Sequence, residues 1–374
     1  MNPNNVSIQK EQANQIVQKH FLERGLAVHE VYEIDSHRFS YTARSKSFAL
    51  DLTSPNSNGS STYATHSCFL TIAIPEDATI TSTKHYHTNP LPVIHQLINK
   101  IRTQTEIPIL DSTLDTTQSV IPYDFLLSPP TSVPFSRMVP LSEVRGSGNL
   151  TEKDIVQVEL LLGKLLGQLH SGVQNDWYGL PSTEEPKDPS YSWQETFTLI
   201  LEELLEDSEK SGDFEFIPFP ELRAHLSRAI GSFLFDDVEV PSLVWFTGSE
   251  DDIYLTLPST TPSSTPDGSS THPPMIAAIL PNVAHALWGD PLLESIFLPP
   301  HPSDPLKDGY KFGGGSPLLL FERQKTKRIW YTIFLTLLVV RERRGMAVTV
   351  QSKKEWAIAT LKQCVQDLKD APTY

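Results

Sequence analysis

Hydrophobic spacing changes character once along this chain, near Thr151, and that change limits the folds open to it. Before it, apolar residues fall in runs of strand length, over 27–34, 39–43, 48–52 and 68–74, with shorter strands expected at 107–110 and 121–127. Two helices are expected among them. Residues 7–24 carry Ile16, Val17, Phe21 and Leu22 as an apolar stripe and stop at Gly25. Residues 92–103 repeat Val93, Ile94, Leu97, Ile98 and Ile101 at helical spacing. After the change, helices dominate. Thr151-Glu-Lys-Asp154 supplies an N-cap and an acidic first turn to a helix ending near His170. Further helices are expected at 193–209, 219–234, 318–344 and 353–370, with short strands at 243–246, 253–257 and 276–280. A β-rich small lobe ahead of a helix-rich large lobe is an α+β, two-lobed plan, here divided as 1–135 and 136–374. Residues 54–61 read as a turn or mobile loop. Residues 258–274 are almost wholly Ser, Thr, Pro and Gly, so they are expected as a disordered insertion at a hairpin tip.

Composition narrows the function classes. A chain of 374 residues, 39% of them hydrophobic, can bury a large core. Its 30 Lys and Arg stand against 45 Asp and Glu, a net charge of −15. That field repels phosphate backbones and anionic lipid, which argues against a nucleic-acid or membrane-surface role. Cys68 and Cys364 are the only cysteines, too few for a disulfide framework or a Cys-based zinc site. The first residues are polar and carry no signal-peptide core, so a reducing, cytoplasmic setting is expected. Residues 329–340 are strongly apolar but span about 12 positions against the roughly 20 that cross a bilayer, and read as a buried helix.

Four stretches then carry a resemblance: Gly-Lys-Leu-Leu-Gly-Gln-Leu-His (163–170) with Trp177-Tyr-Gly-Leu-Pro181, Ser192-Trp-Gln-Glu-Thr-Phe197, the segment opening at Leu243-Val244, and Leu287-Trp-Gly-Asp-Pro291. In order and spacing this set resembles the aminoglycoside phosphotransferase-like family, in the divergent form common in filamentous fungi, over residues 10–345. The resemblance implies a two-lobed protein-kinase-like fold, yet the residues that would do the chemistry are replaced. The family's His-Gly-Asp falls on Trp245, Phe246 and Thr247, and a threonine cannot orient or deprotonate an attacking hydroxyl as a carboxylate does. Its magnesium-binding asparagine falls on Asp252, which could still hold a metal. The second metal ligand, an aspartate, falls on Pro281, with the amide Asn282 beside it. The strand 69–75 lacks the Lys or Arg that would meet nucleotide phosphates, and no acidic residue lies between Asp77 and Glu106 to pair with one. Asn56-Ser-Asn-Gly59 is a turn signal rather than a phosphate loop.

Three functions follow from an emptied site in a retained frame. The first is a cofactor-independent cyclase or isomerase, pericyclase-like, acting on an apolar small molecule such as a terpenoid or polyketide in secondary metabolism. Shape, desolvation and one or two hydrogen-bond donors suffice for such a step, without nucleotide or metal. Thr247 and His285 are its candidate catalytic groups, with Trp245, Phe246, Asp252, Asn282, Trp288 and Tyr123 as substrate contacts. The second is a non-catalytic pseudokinase that binds a metabolite or protein partner. The third is a residual ATP-dependent kinase using Asp251 or Asp252. Structural readings stand beside these: Trp245 and Phe246 as space fillers, Glu250–Asp252 as a solvated acidic loop, His285 and His170 as structural histidines, residues 84–87 as an exposed loop, and Asp290 as a turn cap.

Overall fold

The computed structural model describes residues 6–34, 39–54, 64–75, 86–148, 150–212, 214, 216–256, 275–280, 283–298, 302–316, 322–344 and 351–372. The expected insertion at 258–274, most of the 54–61 turn, and Pro281, Asn282, Lys84 and His85 lie outside the described residues.

The N-terminal region is a five-stranded antiparallel sheet built from β1 (Ala27–Glu33), β2 (Ser45–Thr53), β3 (His66–Ala73), β4 (Thr113–Asp115) and β5 (Phe125–Leu127), in the order β1-β2-β3-β5-β4. Strand alternation gives the sheet two apolar faces. One buries Leu50, Leu52, Leu70, Ile72, Phe125 and Leu127 against Ala13, Ile16 and Val17 of α1 (Lys10–Phe21). Gly25 closes that helical segment in the left-handed conformation, at φ +57°. On the other face, Leu126 meets α2 (Leu91–Gln104), whose apolar stripe also packs on the large helical region. The small sheet and the large region therefore share α2 as a common wall.

The remainder is mostly helical: α3 (Leu141–Ser147), α4 (Glu152–Gly172), α5 (Trp193–Ser211), α6 (Phe219–Gly231), α7 (Asp304–Phe312), α8 (Glu322–Glu342) and α9 (Gln351–Asp370). Short strands sit among them. β6 (Met138–Pro140), β8 (Ile253–Thr256) and β9 (Met275–Ile279) form a small sheet, and β7 (Ser242–Val244) pairs with β10 (Leu287–Gly289). Thr151 caps α4 through a capping box with Asp154, as the sequence predicts. The glycines in Gly163-Lys-Leu-Leu-Gly167 let α7 cross α4 backbone to backbone, since a Cβ on Gly163 would stand 2.1 Å from the Leu306 carbonyl oxygen. Residues 329–340 lie within α8 and are largely buried. Among the described residues no helix is long and apolar enough to cross a membrane.

Two strand expectations fail. Residues 107–110 run as irregular chain, and the small edge strand forms later, at β4. Residues 39–43 alternate like a strand but join no sheet; with Arg44 they lie against the large helical region.

Candidate functional site

The segment corresponding to a catalytic loop leaves β7 at Val244 and reaches β8 at Ile253. Its back face is organised by one carboxylate. Glu294 is buried and accepts from the backbone N–H groups of Trp245 (2.7 Å) and Phe246 (3.1 Å). His170 Nε2 lies 3.2 Å from the same carboxylate, and its Nδ1 lies 2.8 Å from the Tyr310 hydroxyl. Ser295 N–H donates to the Phe246 carbonyl at 3.1 Å. These bonds hold Phe246 at φ +64°, a left-handed conformation costly for a residue with a Cβ. It stands where the resemblance puts glycine, so the backbone turn survives the change of side chain. The Phe246 ring is wholly buried, 4.8 Å from that of Phe334.

The front of the loop differs. Thr247 is fully buried, and its hydroxyl has no hydrogen-bond partner among the described residues. Asp252 is buried, accepting from the Ser40 hydroxyl at 2.9 Å and from Ser249 N–H at 3.3 Å. Its neighbours serve as anchors. Glu250 takes a two-pronged contact from Arg145, at 3.1 and 2.8 Å, and Asp251 accepts from Ser142 with Lys353 Nζ at 3.8 Å. The acidic triplet is thus a set of tethers rather than a solvated loop. Among the described residues no group of three His, Cys, Asp or Glu side chains converges as a metal site.

His285 is enclosed between small-lobe and large-lobe partners. Its Nδ1 lies 3.1 Å from the Tyr86 hydroxyl and its Nε2 3.4 Å from the Tyr41 carbonyl. Burial pushes its pKa down to about 4, so the ring is neutral at neutral pH. Burial also holds the Tyr86 phenol well above its ordinary range, which makes Tyr86 the donor to Nδ1 and leaves the His285 proton on Nε2. Beside it, Asn89 Nδ2 donates to the carbonyls of Val283 and Ala286, each at 2.9 Å, and ties the start of α2 to this loop. Neutral hydrogen bonds therefore position α2, which carries no acidic side chain.

Two groups of side chains fill the space between the lobes. Near the connection out of the small sheet, Phe135 lies 5.9 Å from Phe69 on β3 and 5.2 Å from Tyr254 on β8, within a cluster that includes Ala49, Met138 and Leu280. At the loop end, residues 39–44 descend from the β1–β2 connection. Ser40 reaches Asp252, while Thr42 Oγ1 (3.1 Å) and Ala43 N–H (3.0 Å) donate to Glu342 at the end of α8. Burial alone would raise the Glu342 pKa, but Arg341, 3.1 Å away, and these donors outweigh it and keep the carboxyl ionised.

The structure brings Thr247 and Asp252 onto one loop and reaches His285 through the same 39–44 segment. Trp245 and Phe246 share that loop, and Trp245 borders the same small cavity as Asp252, whereas Tyr123 and Trp288 lie apart. Tyr123 packs on the small-sheet core near Ile121 and Phe125. Trp288 is buried in β10, hydrogen-bonded through its backbone to Gly179, with Lys100 Nζ 4.7 Å from its ring. Trp245 borders a small, largely apolar cavity of about 30 Å³, walled by Leu162, Leu165, Leu166 and Ile253, with Ser249, Asp252 and Glu294 also in its lining. Asp290 caps the turn at Leu292 and receives Lys327 and Tyr331, each at 2.7 Å. His170 has the structural place that its helix end suggests.

Nucleotide and magnesium, which the resemblance implies, do not fit these residues. A buried threonine stands where the resemblance puts the carboxylate, Asp252 is engaged by Ser40 and Ser249, and β3 offers neither Lys nor Arg. No family model matches the chain, and no curated protein matches it in sequence. Solved structures do match in fold. A protein of Ralstonia eutropha assigned as an aminoglycoside phosphotransferase superposes with a TM-score of 0.55 at 11% identity, covering 98% of this chain and 100% of that one. A protein of Haemophilus somnus assigned as a fructosamine-3-kinase gives 0.53 at 12% identity, over 95% and 97%. The fold is the protein-kinase-like one, with a β-sheet N-terminal region and a helical C-terminal region.

Proposed function

We propose that this chain keeps a phosphotransferase-like frame without phosphoryl transfer and acts as a non-catalytic, kinase-like protein that binds a metabolite or a protein partner. The observation that carries this reading is the contact between Ser40 and Asp252. The carboxylate best suited to a metal is bonded to the chain's own β1–β2 connection. The Phe69–Phe135–Tyr254 cluster supports it from the other end of the cleft. The test is ADP formation from magnesium-ATP over a panel of hydroxyl- and amine-bearing acceptors. The expected rate equals the protein-free background; turnover abolished by Asp252→Ala would overturn the reading and return the residual kinase.

The cavity beside Trp245 favours a second reading, the cofactor-independent cyclase acting on an apolar substrate. At about 30 Å³ it has room for roughly two waters. A terpenoid- or polyketide-sized ligand requires it to open, with Trp245 moving. Cofactor-free conversion of an apolar substrate that is lost in Trp245→Ala would raise this reading above the first; thermal stabilisation without conversion would fit the first.

A further inference from the structure

We propose that residues 39–44 are a strap seated in the cleft as a built-in ligand and clasped there by α9, so that loosening α9's hold uncovers Asp252, Glu342 and His285 together. This rests on the reading that the cleft has left nucleotide chemistry, and it adds how access to that cleft is controlled.

The strap's side-chain pattern is that of a bound peptide rather than a sheet strand. Ser40 and Thr42 are buried, whereas Phe39 and Tyr41 are half-buried. The polar side of the alternation faces inward, the reverse of a core strand. The strap meets the two carboxylates with donors: the Ser40 hydroxyl to Asp252, and the Thr42 hydroxyl and Ala43 N–H to Glu342. The Tyr41 carbonyl faces His285 Nε2, which carries the imidazole proton, and the Arg44 carbonyl accepts from Ile74 N–H at 2.8 Å, which anchors the strap's last residue to the small sheet. The strap thus matches the hydrogen-bonding of the groups beneath it, as a ligand would.

The aromatic side is held from outside. Phe39 lies 4.8 Å from the Trp356 ring, edge on, and Lys353 Nζ stands 3.8 Å from its centroid. Both partners belong to α9. Tyr41 takes the Arg343 guanidinium at 5.1 Å, just beyond the end of α8. α9 itself packs along α8 through Ala357, Leu361 and Leu368, which belong to the large core. Trp356 and Phe39 pack against the edge of that same core, so Trp356→Ala weakens the clasp while Ala357, Leu361 and Leu368 still dock α9. Polar contacts inside and a separate aromatic clasp outside make the strap a unit that can leave without either lobe unfolding.

The test is backbone hydrogen–deuterium exchange of the full-length protein and of Trp356→Ala. Exchange over residues 40–44 is expected to quicken about tenfold, the scale of one lost aromatic pair, while β1 and β2 keep wild-type protection. Phe39→Ala, changed on the strap itself, must reproduce the effect if Trp356→Ala folds poorly. Strap exchange that stays at the wild-type rate in both variants, or that rises only together with the flanking strands, overturns the proposal. Neither result depends on nucleotide. Magnesium-ATP binding by the wild-type protein would remove the underlying reading while leaving the exchange result to judge the strap.

Discussion

The two faces of the 245–252 loop have kept different things. Behind it, Glu294, His170 and Tyr310 form a buried polar set in which Glu294 accepts from two backbone amides and contacts His170. In front, Thr247 holds a hydroxyl without a partner among the described residues, and Asp252 is bonded to a strap from the small lobe. The back face holds the turn out of β7, while the front face carries the positions where chemistry would need its groups and tethers the loop's later half. On the proposed reading, a frame can outlive its reaction because these duties fall on different residues. Phe246 shows the division within one residue: its backbone keeps a glycine-like turn, and its side chain has joined the core.

This comparison is sharpened first by removing the back-face carboxylate. Glu294→Ala leaves the Trp245 and Phe246 amides unsatisfied, and should cost about 3 kcal/mol or more in denaturant unfolding. A loss under about 1 kcal/mol would break the claim that this face organises the loop.

The next effect is one of pH. The folded-state pKa of His285, about 4, lies below the ordinary value of 6.5, so the unfolded chain takes up this proton first as pH falls. Stability from this group is full above pH 6.5 and is lost as pH falls towards 4, on the order of 3 kcal/mol in all. His285→Gln should flatten that part of the stability-versus-pH curve.

Smaller effects belong to the front. Asp252→Asn restores the residue type that the resemblance implies, but sets an amide against Ser249 N–H; a cost of about 1 kcal/mol is expected, with no gain of magnesium-ATP binding. Thr247→Val removes a buried hydroxyl that has no partner among the described residues, and should be neutral or stabilise by up to about 1 kcal/mol in thermal unfolding. Destabilisation by Thr247→Val would mean that this hydroxyl has an unseen partner, and the front face would need redrawing.

Much of the frame was legible in the sequence because local periodicity encodes it. The stripe of α2, the Thr151 cap and the Gly25 stop are short-range patterns, and each appears within a few residues of its expected place. The strap was not. Residues 39–43 alternate as a strand does, but a strand template takes the apolar side as buried, and here Ser40 and Thr42 are the buried side. Glu294 was missed for another reason. Its partners lie 48, 49 and 124 positions away, so no local pattern marks it. Tyr123 and Trp288 were grouped with the cleft on residue type alone, whereas their burial follows from the small-sheet core and the β7–β10 pairing.

The central claim is that the cleft is filled by the chain itself and has left nucleotide chemistry. Calorimetric titration of the intact protein with magnesium-ATP, paired with thermal unfolding, tests it most directly. The account predicts no binding heat and no rise in melting temperature at millimolar nucleotide. Micromolar binding that raises the melting temperature would contradict it, and would mean that the strap yields to nucleotide and that Asp252 serves the role the resemblance first suggested.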